Sequence, residues 1–440
     1  MKKIIKLLLI GISVPAFSSS IFAVEAQPKK YNVACDLEIK LSGYAHFQSG
    51  FRDQSNLTSD EKNVSANRRD FAFFNETAFS AEAAHQINDI NYGARIVLVP
   101  TAKRKGSGFN GSHIFMENNF GRLEGGSPMS ASDTMMFDGS VPASATGGNW
   151  DRYINFAPSS LTYNGSAPSF ATFAEFFLDS KLVTSTDKRS YSSEPGRRIN
   201  YYTPKFEITP LTKVQLGISY TPDSSNTGAD SPDVQSSGTS KINVSTNLKS
   251  DGKTSKDRFE IDSTVKDGIG AGVTLEQNIT DGVDVKLAFT GEYGKAAGKA
   301  KEFQNDIKVA DHNLKNLRTY NIGGVVNFGN FSCGGSYGSL SKSLTTPAFH
   351  KTGAETKYYT GVVAYKQGPF STSILYFRSD QYKNIVDAIT LGTDYKMAPG
   401  IKPYFEVSGF SLKGKPEHFP EAPKKKTRGT VALIGAKFSL

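Results

Sequence analysis

Apolar and polar residues alternate along stretches of this chain that are longer than the strands of most soluble proteins. From 37 to 48 the apolar series is Leu37, Ile39, Leu41, Gly43, Ala45 and Phe47, and the polar series is Glu38, Lys40, Ser42, Tyr44, His46 and Gln48. Successive side chains of a strand point to opposite faces, so this stretch predicts a strand with one apolar and one polar face. A strand in a soluble protein usually has about 5 or 6 residues, whereas a tilted membrane-crossing strand needs about 9 to 11. The length of the pattern therefore favours a transmembrane barrel.

The same alternation recurs along the whole chain. Tight turns are predicted at 88–89, 118–121, 280–282, 329–330, 367–369 and 398–400, and longer polar loops at 54–67, 101–111, 223–257, 295–316, 342–356 and 411–427. The predicted strands lie near 36–52, 69–87, 90–100, 111–118, 121–126, 196–204, 212–221, 261–279, 282–294, 316–328, 331–340, 357–366, 370–379, 384–396, 401–410 and 428–440. Outer-membrane barrels have an even number of antiparallel strands, with short turns at one end and long loops at the other. We therefore expect an all-β, transmembrane antiparallel β-barrel of about 16 strands.

The N-terminal segment has the order of residues typical of a secretory signal peptide. Three lysines at the start precede an apolar run at 7–17, and small residues follow around Ala23 and Ala26. The apolar run is too short to span a bilayer, which takes about 20 apolar residues. We expect cleavage after Ala23 or Ala26, with Ala26 favoured, so that 1–26 is the signal peptide and 27–440 is a single barrel domain. Its removal changes the count of 51 basic and 42 acidic residues to 48 and 41, a net charge of +7.

The last stretch of the chain alternates up to its final residue. The side chains expected to face outward are Ala432, Ile434, Ala436, Phe438 and Leu440. An unpaired terminal strand inside a membrane would leave its backbone N–H and C=O groups without partners. We therefore expect 37–51 to pair with 431–440 and close the barrel.

Five short motifs occur in order along the chain: LSGY at 41–44, NFGRLEGG at 119–126, RINYYTPKF at 198–206, GISYTP at 217–222 and YKMAPGI at 395–401. Together with the outward-alternating end at Phe438 and Leu440, they resemble the general porin family of Gram-negative bacteria, particularly its alphaproteobacterial members. The resemblance implies a trimer of 16-stranded barrels, each with a third loop that folds inward and narrows the pore.

In this chain the third loop would run from 127 to 195, which is long for the family. Its apolar part, 169–183, is expected to pack inside the barrel, to form a short helix or to make an additional hairpin. The chain departs from the family at its last residue, where phenylalanine or tryptophan is common and Leu440 stands here. It also departs in the strand that leads into the third loop, where arginine often follows the glycine and Gly126 stands in that place here.

Strand parity predicts which charged side chains face the lumen. The basic ones are Lys40, His46, Arg95, Arg122, Arg198, Lys286, Lys402 and Lys437, and the acidic ones are Glu38, Glu76, Glu124, Asp284, Glu292 and Glu406. A diffusion pore needs a wet lumen, a limiting diameter and a field set by opposed charges. We expect the constriction to comprise Lys40, Arg95, Arg122 and Arg198 on the wall, facing Asp133, Asp138 or Asp151 on the inward loop. These groups could equally be solvated or paired lumen charges, and Asp133 and Asp138 could belong to a segment that packs against the wall.

The chain offers no clear signal of an enzyme. The segment 294–299 lacks the spacing and the hydroxyl of a phosphate-binding loop, and the six histidines show no His-x-x-x-His spacing. The sequence therefore predicts no catalytic residue, no metal site and no cofactor.

Three functions remain open at this stage. A general diffusion porin is favoured, with a mild preference for anions if the positive charge extends to the lumen. A substrate-specific channel for phosphate or another anion would need basic and aromatic side chains along the third loop. A surface adhesin would use the barrel only as an anchor.

The expected partners follow from the same interpretation. They are outer-membrane lipid, lipopolysaccharide, small hydrophilic solutes and ions, and further copies of the chain in a homotrimer, whereas nucleic acid is not expected. The lysines at 424–426 could bind lipopolysaccharide phosphates or attract anions to the pore mouth. They could also belong to an ordinary solvated loop.

Overall fold

The computed structural model describes residues 29–33, 37–55, 71–98, 109–154, 197–224, 242–248, 254–261, 264–280, 282–304, 307–344, 355–381, 383–414 and 426–439. No helix in these segments has the length and apolar character needed to cross a membrane. The predicted signal peptide, Leu440 and the lysines at 424 and 425 lie outside the described residues.

Strands dominate the described segments. In chain order they are β1 (Lys29–Val33), β2 (Leu37–Gln54), β3 (Phe71–Ile87), β4 (Ile90–Leu98), β5 (Phe109–Asn118), β6 (Gly121–Gly126), β7 (Arg198–Tyr202), β8 (Phe206–Thr209), β9 (Thr212–Asp223), β10 (Ile242–Leu248), β11 (Thr254–Ile261), β12 (Val265–Thr280), β13 (Val283–Ala296), β14 (Lys299–Gln304), β15 (Ile307–Asn313), β16 (Leu317–Phe328), β17 (Phe331–Ser341), β18 (Thr356–Gln367), β19 (Phe370–Gln381), β20 (Asn384–Tyr395), β21 (Ile401–Lys413) and β22 (Lys426–Ser439). Two short helices, α1 (Ala131–Thr134) and a 3-10 helix (Asn149–Tyr153), lie between β6 and β7.

Sixteen strands form one closed antiparallel ring. Their order is β2, β3, β4, β5, β6, β7, β9, β12, β13, β16, β17, β18, β19, β20, β21 and β22. The ring closes because β22 pairs with β2, from Gln54 opposite Gly429 to Tyr44 opposite Ser439. The predicted all-β barrel is confirmed, and each predicted strand span coincides with one strand of the ring.

Two strands extend the ring. β8 continues β7 after an interruption at 203–205, where Pro204 has no N–H to donate, and it pairs with β9. β1 pairs with the first part of β2, from Lys29 opposite Leu41 to Val33 opposite Leu37.

A second sheet was not predicted. The sequence was interpreted as long loops over 223–257 and 295–316, but these segments contain most of an antiparallel sheet in the order β10, β11, β14, β15. Along the chain, β10 follows β9, β11 precedes β12, β14 follows β13 and β15 precedes β16. The four strands of this sheet therefore have the same order as β9, β12, β13 and β16 in the ring. The loop prediction was wrong here because these strands are rich in polar residues, such as the KAKEFQ of β14, and their apolar and polar residues alternate over only a few positions, as in the INVS of β10.

The two faces of the ring differ in chemical character. Phe47 is 52% exposed and Ile434 is 56% exposed, whereas their strand neighbours His46 and Leu433 are buried. Outward phenylalanines pack on one another, as in the ring pair Phe47 and Phe73, whose centroids are 5.7 Å apart. Ile434 and Phe438 of β22 both lie on this outward face. An apolar outer belt of this kind suits contact with lipid chains.

Candidate functional site in the barrel lumen

The chain turns into the barrel immediately after β6. Gly126 has φ +130°, which favours glycine because it has no Cβ, and the Ser127 N–H donates to the Ser112 carbonyl at 2.7 Å. The segment that follows, 127–154, is called the inward loop below. It is the described part of the predicted third loop, and 155–196, with its apolar stretch, lies outside the described residues.

The first part of the inward loop lies against β7, β9, β12 and β13. The Ala131 N–H at the start of α1 donates to Ser219 Oγ at 2.5 Å, and Ser132 Oγ donates to Glu292 Oε1 at 3.2 Å. Met135 is buried and packs with Ala131 and Tyr202. These contacts hold the loop on the wall at its entry.

Asp138 fastens the middle of the loop to β17 and β18. Its side chain is only 1% exposed, and its Oδ1 accepts hydrogen bonds from Ser336 Oγ and Thr360 Oγ1, both at 2.8 Å. Ser140 Oγ donates to the other oxygen at 2.5 Å. A buried carboxylate that accepts hydrogen bonds from three hydroxyl groups fixes the backbone that carries it.

The next part of the loop is bound to four successive strands. The Ser144 N–H donates to Ser373 Oγ of β19 at 2.8 Å, and the Ala145 N–H donates to Asp394 Oδ2 of β20 at 2.7 Å. The N–H and hydroxyl of Thr146 both donate to Glu406 Oε2 of β21, at 3.0 and 2.6 Å. Lys437 Nζ of β22 donates to the Ala145 carbonyl at 2.6 Å.

The end of the loop packs on an apolar part of the inner wall. Trp150, 2% exposed, stacks on Phe410 of β21 with centroids 5.6 Å apart. Tyr153 lies in the same buried cluster, and its carbonyl accepts from Arg52 Nη1 of β2 at 3.2 Å. Arg152 Nη2 lies 3.4 Å from Glu76 Oε2 of β3, and the Arg152 guanidinium stacks over the Phe74 ring.

Glycines on the wall make room for the loop. A Cβ added to any of five glycines would collide with a loop atom: Gly217 with Met135, Gly323 with the Phe137 carbonyl, Gly334 with the Gly139 carbonyl, Gly392 with the Ser144 carbonyl, and Gly50 with Tyr153. A Cβ on Gly272 would be in tight contact with Met135. The loop therefore lies in a shallow track of small residues that follows the wall from β7 round to β3.

A row of charged residues crosses the part of the wall beyond this track. In direct cross-strand pairs, Lys40 of β2 stands opposite Glu82, Glu82 opposite Arg95, and Arg95 opposite His113. Lys40 Nζ lies 3.7 Å from Glu82. The row continues through Gly126 to Arg198 of β7.

Arg122 of β6 lies closer than this row to the turn between β5 and β6, within a charged cluster of its own. Its Nε donates to Glu124 at 2.8 Å, its Nη1 lies 3.1 Å from Glu117, and its guanidinium stacks over Phe115 at 4.1 Å. His113 Nε2 lies 3.9 Å from Glu124. The cluster fixes the guanidinium against the wall, with part of its surface left in the lumen.

The structure therefore brings Lys40, Arg95 and Arg198 into one row and places Arg122 next to it. Arg198 differs from the others because it is only 3% exposed. Among the acids, Asp138 lies in the contact between loop and wall, whereas Asp133 in α1 and Asp151 in the 3-10 helix are half-buried. The role predicted for these residues at a constriction stays a prediction.

Sequence reasoning missed Glu82 and His113. Glu82 shares its parity on β3 with Glu76, which the alternation did place in the lumen, so the same signal could have found it. The sequence was interpreted as having no Gly-x-Ser-x-Gly elbow, and although 334–338 has that pattern, it lies within one strand. Ser336 lies within β17 and binds Asp138, whereas a nucleophilic serine stands at a sharp turn between strand and helix.

In the described segments, no three His, Cys, Asp or Glu side chains are grouped so that they could hold a metal ion.

Comparison with known proteins decides the family. A family model described as Gram-negative porin matches residues 11–415. The chain belongs to the Gram-negative porin family. As a porin it is a channel protein of the outer membrane, and the predicted family is confirmed.

Relatives of this porin cover it almost completely. An uncharacterized protein of Rickettsia felis is 43% identical over 443 residues, which is 98% of this chain and 99% of that protein. An uncharacterized protein of Rickettsia prowazekii is 42% identical over 444 residues, with the same coverage of both chains.

Solved porin structures resemble the chain more distantly. A refined porin structure has a TM-score of 0.47 and 14% identity, covering 92% of this chain and 100% of that one. A triple mutant of Rhodopseudomonas blastica porin has a TM-score of 0.44 and 15% identity, covering 91% and 100%. The family assignment rests on the family model.

Proposed function

We propose that this porin forms a water-filled channel through which small hydrophilic solutes and ions diffuse passively. The observation that carries the proposal is the course of the inward loop, whose described part follows the inner wall and is hydrogen-bonded to successive strands. A segment fastened in this way narrows a lumen without filling it. Diffusion then needs no moving part and no chemical step.

The proposed constriction lies between the loop and the charged row. Lys40, Arg95 and Arg122 supply positive charge from the wall, and Asp133 and Asp151 supply negative charge from the loop. Opposed charges across a narrow water layer set up a transverse field that sorts solutes by charge and dipole. This assignment is supported by the row of direct cross-strand pairs on the part of the wall that the described residues of the inward loop do not contact.

We also propose that the chain is exported with a cleaved signal peptide and assembles as a homotrimer in lipid that contains lipopolysaccharide. Family membership and the apolar outer belt support assembly in the membrane. N-terminal sequencing of the mature protein distinguishes cleavage after Ala23 from cleavage after Ala26. Native mass spectrometry in detergent tests the trimer, and a monomeric mass for functional protein would contradict it.

Planar-bilayer recording of the refolded protein tests the channel. We expect large ohmic steps, closing in threes for a trimer, and a reversal potential under a salt gradient that reports ion preference. Folded protein that gives no steps would overturn the proposal and favour an adhesin or a plugged channel. Folding is checked independently by the β-sheet circular dichroism of the same sample.

A further inference from the structure

A cavity of about 620 Å³ lies between the inward loop and the barrel wall, near the end that carries the short turns. Pro142, Ala143 and Asn149 border it from the loop. The wall contributes residues of β18 to β22 and of β2 and β3, and its most prominent side chains are four lysines, Lys366, Lys396, Lys402 and Lys437. Small-molecule sites commonly have volumes of about 300–1,000 Å³, so the cavity has the size of a ligand site.

Two of these lysines are placed in an unfavourable arrangement. Lys402 of β21 and Lys437 of β22 stand directly opposite each other in the sheet, and like charges in this position destabilise a strand pair. Lys437 is anchored, because its ammonium donates to the Ala145 carbonyl. No carboxylate of the described residues lies within ion-pair distance of Lys366, Lys396 or Lys402.

Two carboxylates also line the cavity, and both are bound elsewhere. Asp394 accepts the Ala145 N–H at 2.7 Å. Glu76 accepts from Tyr44 at 2.9 Å and pairs with Arg152 at 3.4 Å. Both of these carboxylates and the nearby Glu406 act electrostatically on Lys437, but none of them forms an ion pair with Lys366, Lys396 or Lys402. The four ammonium groups therefore outnumber the three acids around the cavity.

We propose that this cavity is a binding site for small oxyanions that carry two negative charges, namely inorganic phosphate and phosphate monoesters passing through the pore. The inference rests on the proposed channel function. A dianion between Lys402, Lys437 and Lys366 relieves the repulsion between the ammonium groups, and lysine binds phosphate as a point charge without a fixed geometry. Asn149 brings a neutral amide to the same cavity, and Ser371, which also lines it, shares a hydrogen bond with Ser144 Oγ at 2.7 Å.

Flexible lysines also suit a site that must release its ligand. Conduction requires binding that is strong enough to attract an ion and weak enough to let it leave. Ammonium groups on long side chains in a wet lumen meet both conditions, whereas a dry cage of arginines would retain the anion. The site concentrates dianions on their path and leaves chloride and neutral solutes free to pass.

The test is the block of chloride current by inorganic phosphate in planar bilayers, with full-length mature protein. We expect phosphate to reduce the chloride-carried current of the wild type in a saturable way. The double variant Lys366→Gln/Lys402→Gln should raise the half-blocking phosphate concentration by about tenfold, which corresponds to about 1.4 kcal/mol. Lys286→Gln is the matched control. Lys286 is an inward lysine of β13 near the same end of the barrel, and it lies outside the cavity.

The outcomes separate the two proposals. Absence of channels in chloride alone overturns the proposed function. Normal channels with no saturable phosphate block, or an equal shift in the double variant and in the control, overturn the oxyanion site and leave the channel intact. Each variant must form channels in chloride alone and show the β-sheet circular dichroism of the wild type, which demonstrates that it has folded.

Discussion

Lys437 Nζ of the last barrel strand donates a 2.6 Å hydrogen bond to the backbone carbonyl of Ala145 in the inward loop. The strand that closes the ring on β2 is therefore also a strand that holds the loop. Barrel closure and loop placement are coupled through one side chain. A substitution that disturbs one of them is therefore expected to disturb the other.

Glu406→Ala should loosen the inward loop. The substitution leaves the N–H and the hydroxyl of Thr146 without their acceptor, a loss of about 1–3 kcal/mol for buried groups. We expect increased open-state current noise in single-channel recordings. Asp284→Ala removes an inward acid that binds Asn327, away from the loop, and should leave the noise unchanged. Equal noise in both variants would contradict the anchoring role.

Gly323→Val should displace the loop through contact alone. A Cβ at this position collides with the Phe137 carbonyl, and overpacking of this kind costs about 1–3 kcal/mol. We expect a lower unfolding temperature and an altered unit conductance. Gly361→Val is the control, since a Cβ there meets no atom within 4 Å. If both variants behave as wild type, the loop does not lie on this track in the membrane.

Arg122→Gln should shift ion preference toward cations. The guanidinium is a fixed positive charge in the lumen, next to the row that contains Lys40 and Arg95. The reversal potential under a salt gradient measures the shift. Arg318→Gln removes a cation that stacks over the outward Tyr293 and should have no effect. A shift of the same size in the control would show that surface charge, not the constriction, sets the preference.

Ile434→Lys should destabilise the barrel more than Thr430→Lys. Both residues are on the outward side of β22, but Ile434 stands opposite Phe405 within the apolar belt, whereas Thr430 stands opposite Asp53 toward its polar edge. Lysine on the lipid face costs about 2–4 kcal/mol at the bilayer centre and about 0–1 near its surface. Urea titration of protein folded in vesicles measures the difference. Equal costs would mean that Ile434 is not at the depth inferred from the sheet.

The sequence predicted the ring well because lipid on one side and water on the other impose period two on every strand. The sequence did not predict β10, β11, β14 and β15, because their apolar and polar residues alternate over only a few positions. Ile307 and Val309 of β15 are both exposed, so apolar residues there mark no buried face.

The candidate site was predicted only in part. Parity along each strand found Lys40 and Arg95, since it depends on local pattern alone. Burial of Arg198 and Asp138 depends on where the inward loop lies, and this is decided by contacts between distant residues such as Gly323 and Phe137. No local pattern encodes that pairing.

The course of the inward loop also has a mechanical consequence for the barrel. Ser132, Asp138, Ser144 and Thr146 tie the loop to β13, β17, β18, β19 and β21, and Arg152 ties it to β3. Lateral pressure that flattened the cross-section into an ellipse would have to bend the attached loop together with the wall. The loop is therefore expected to stiffen the barrel against flattening.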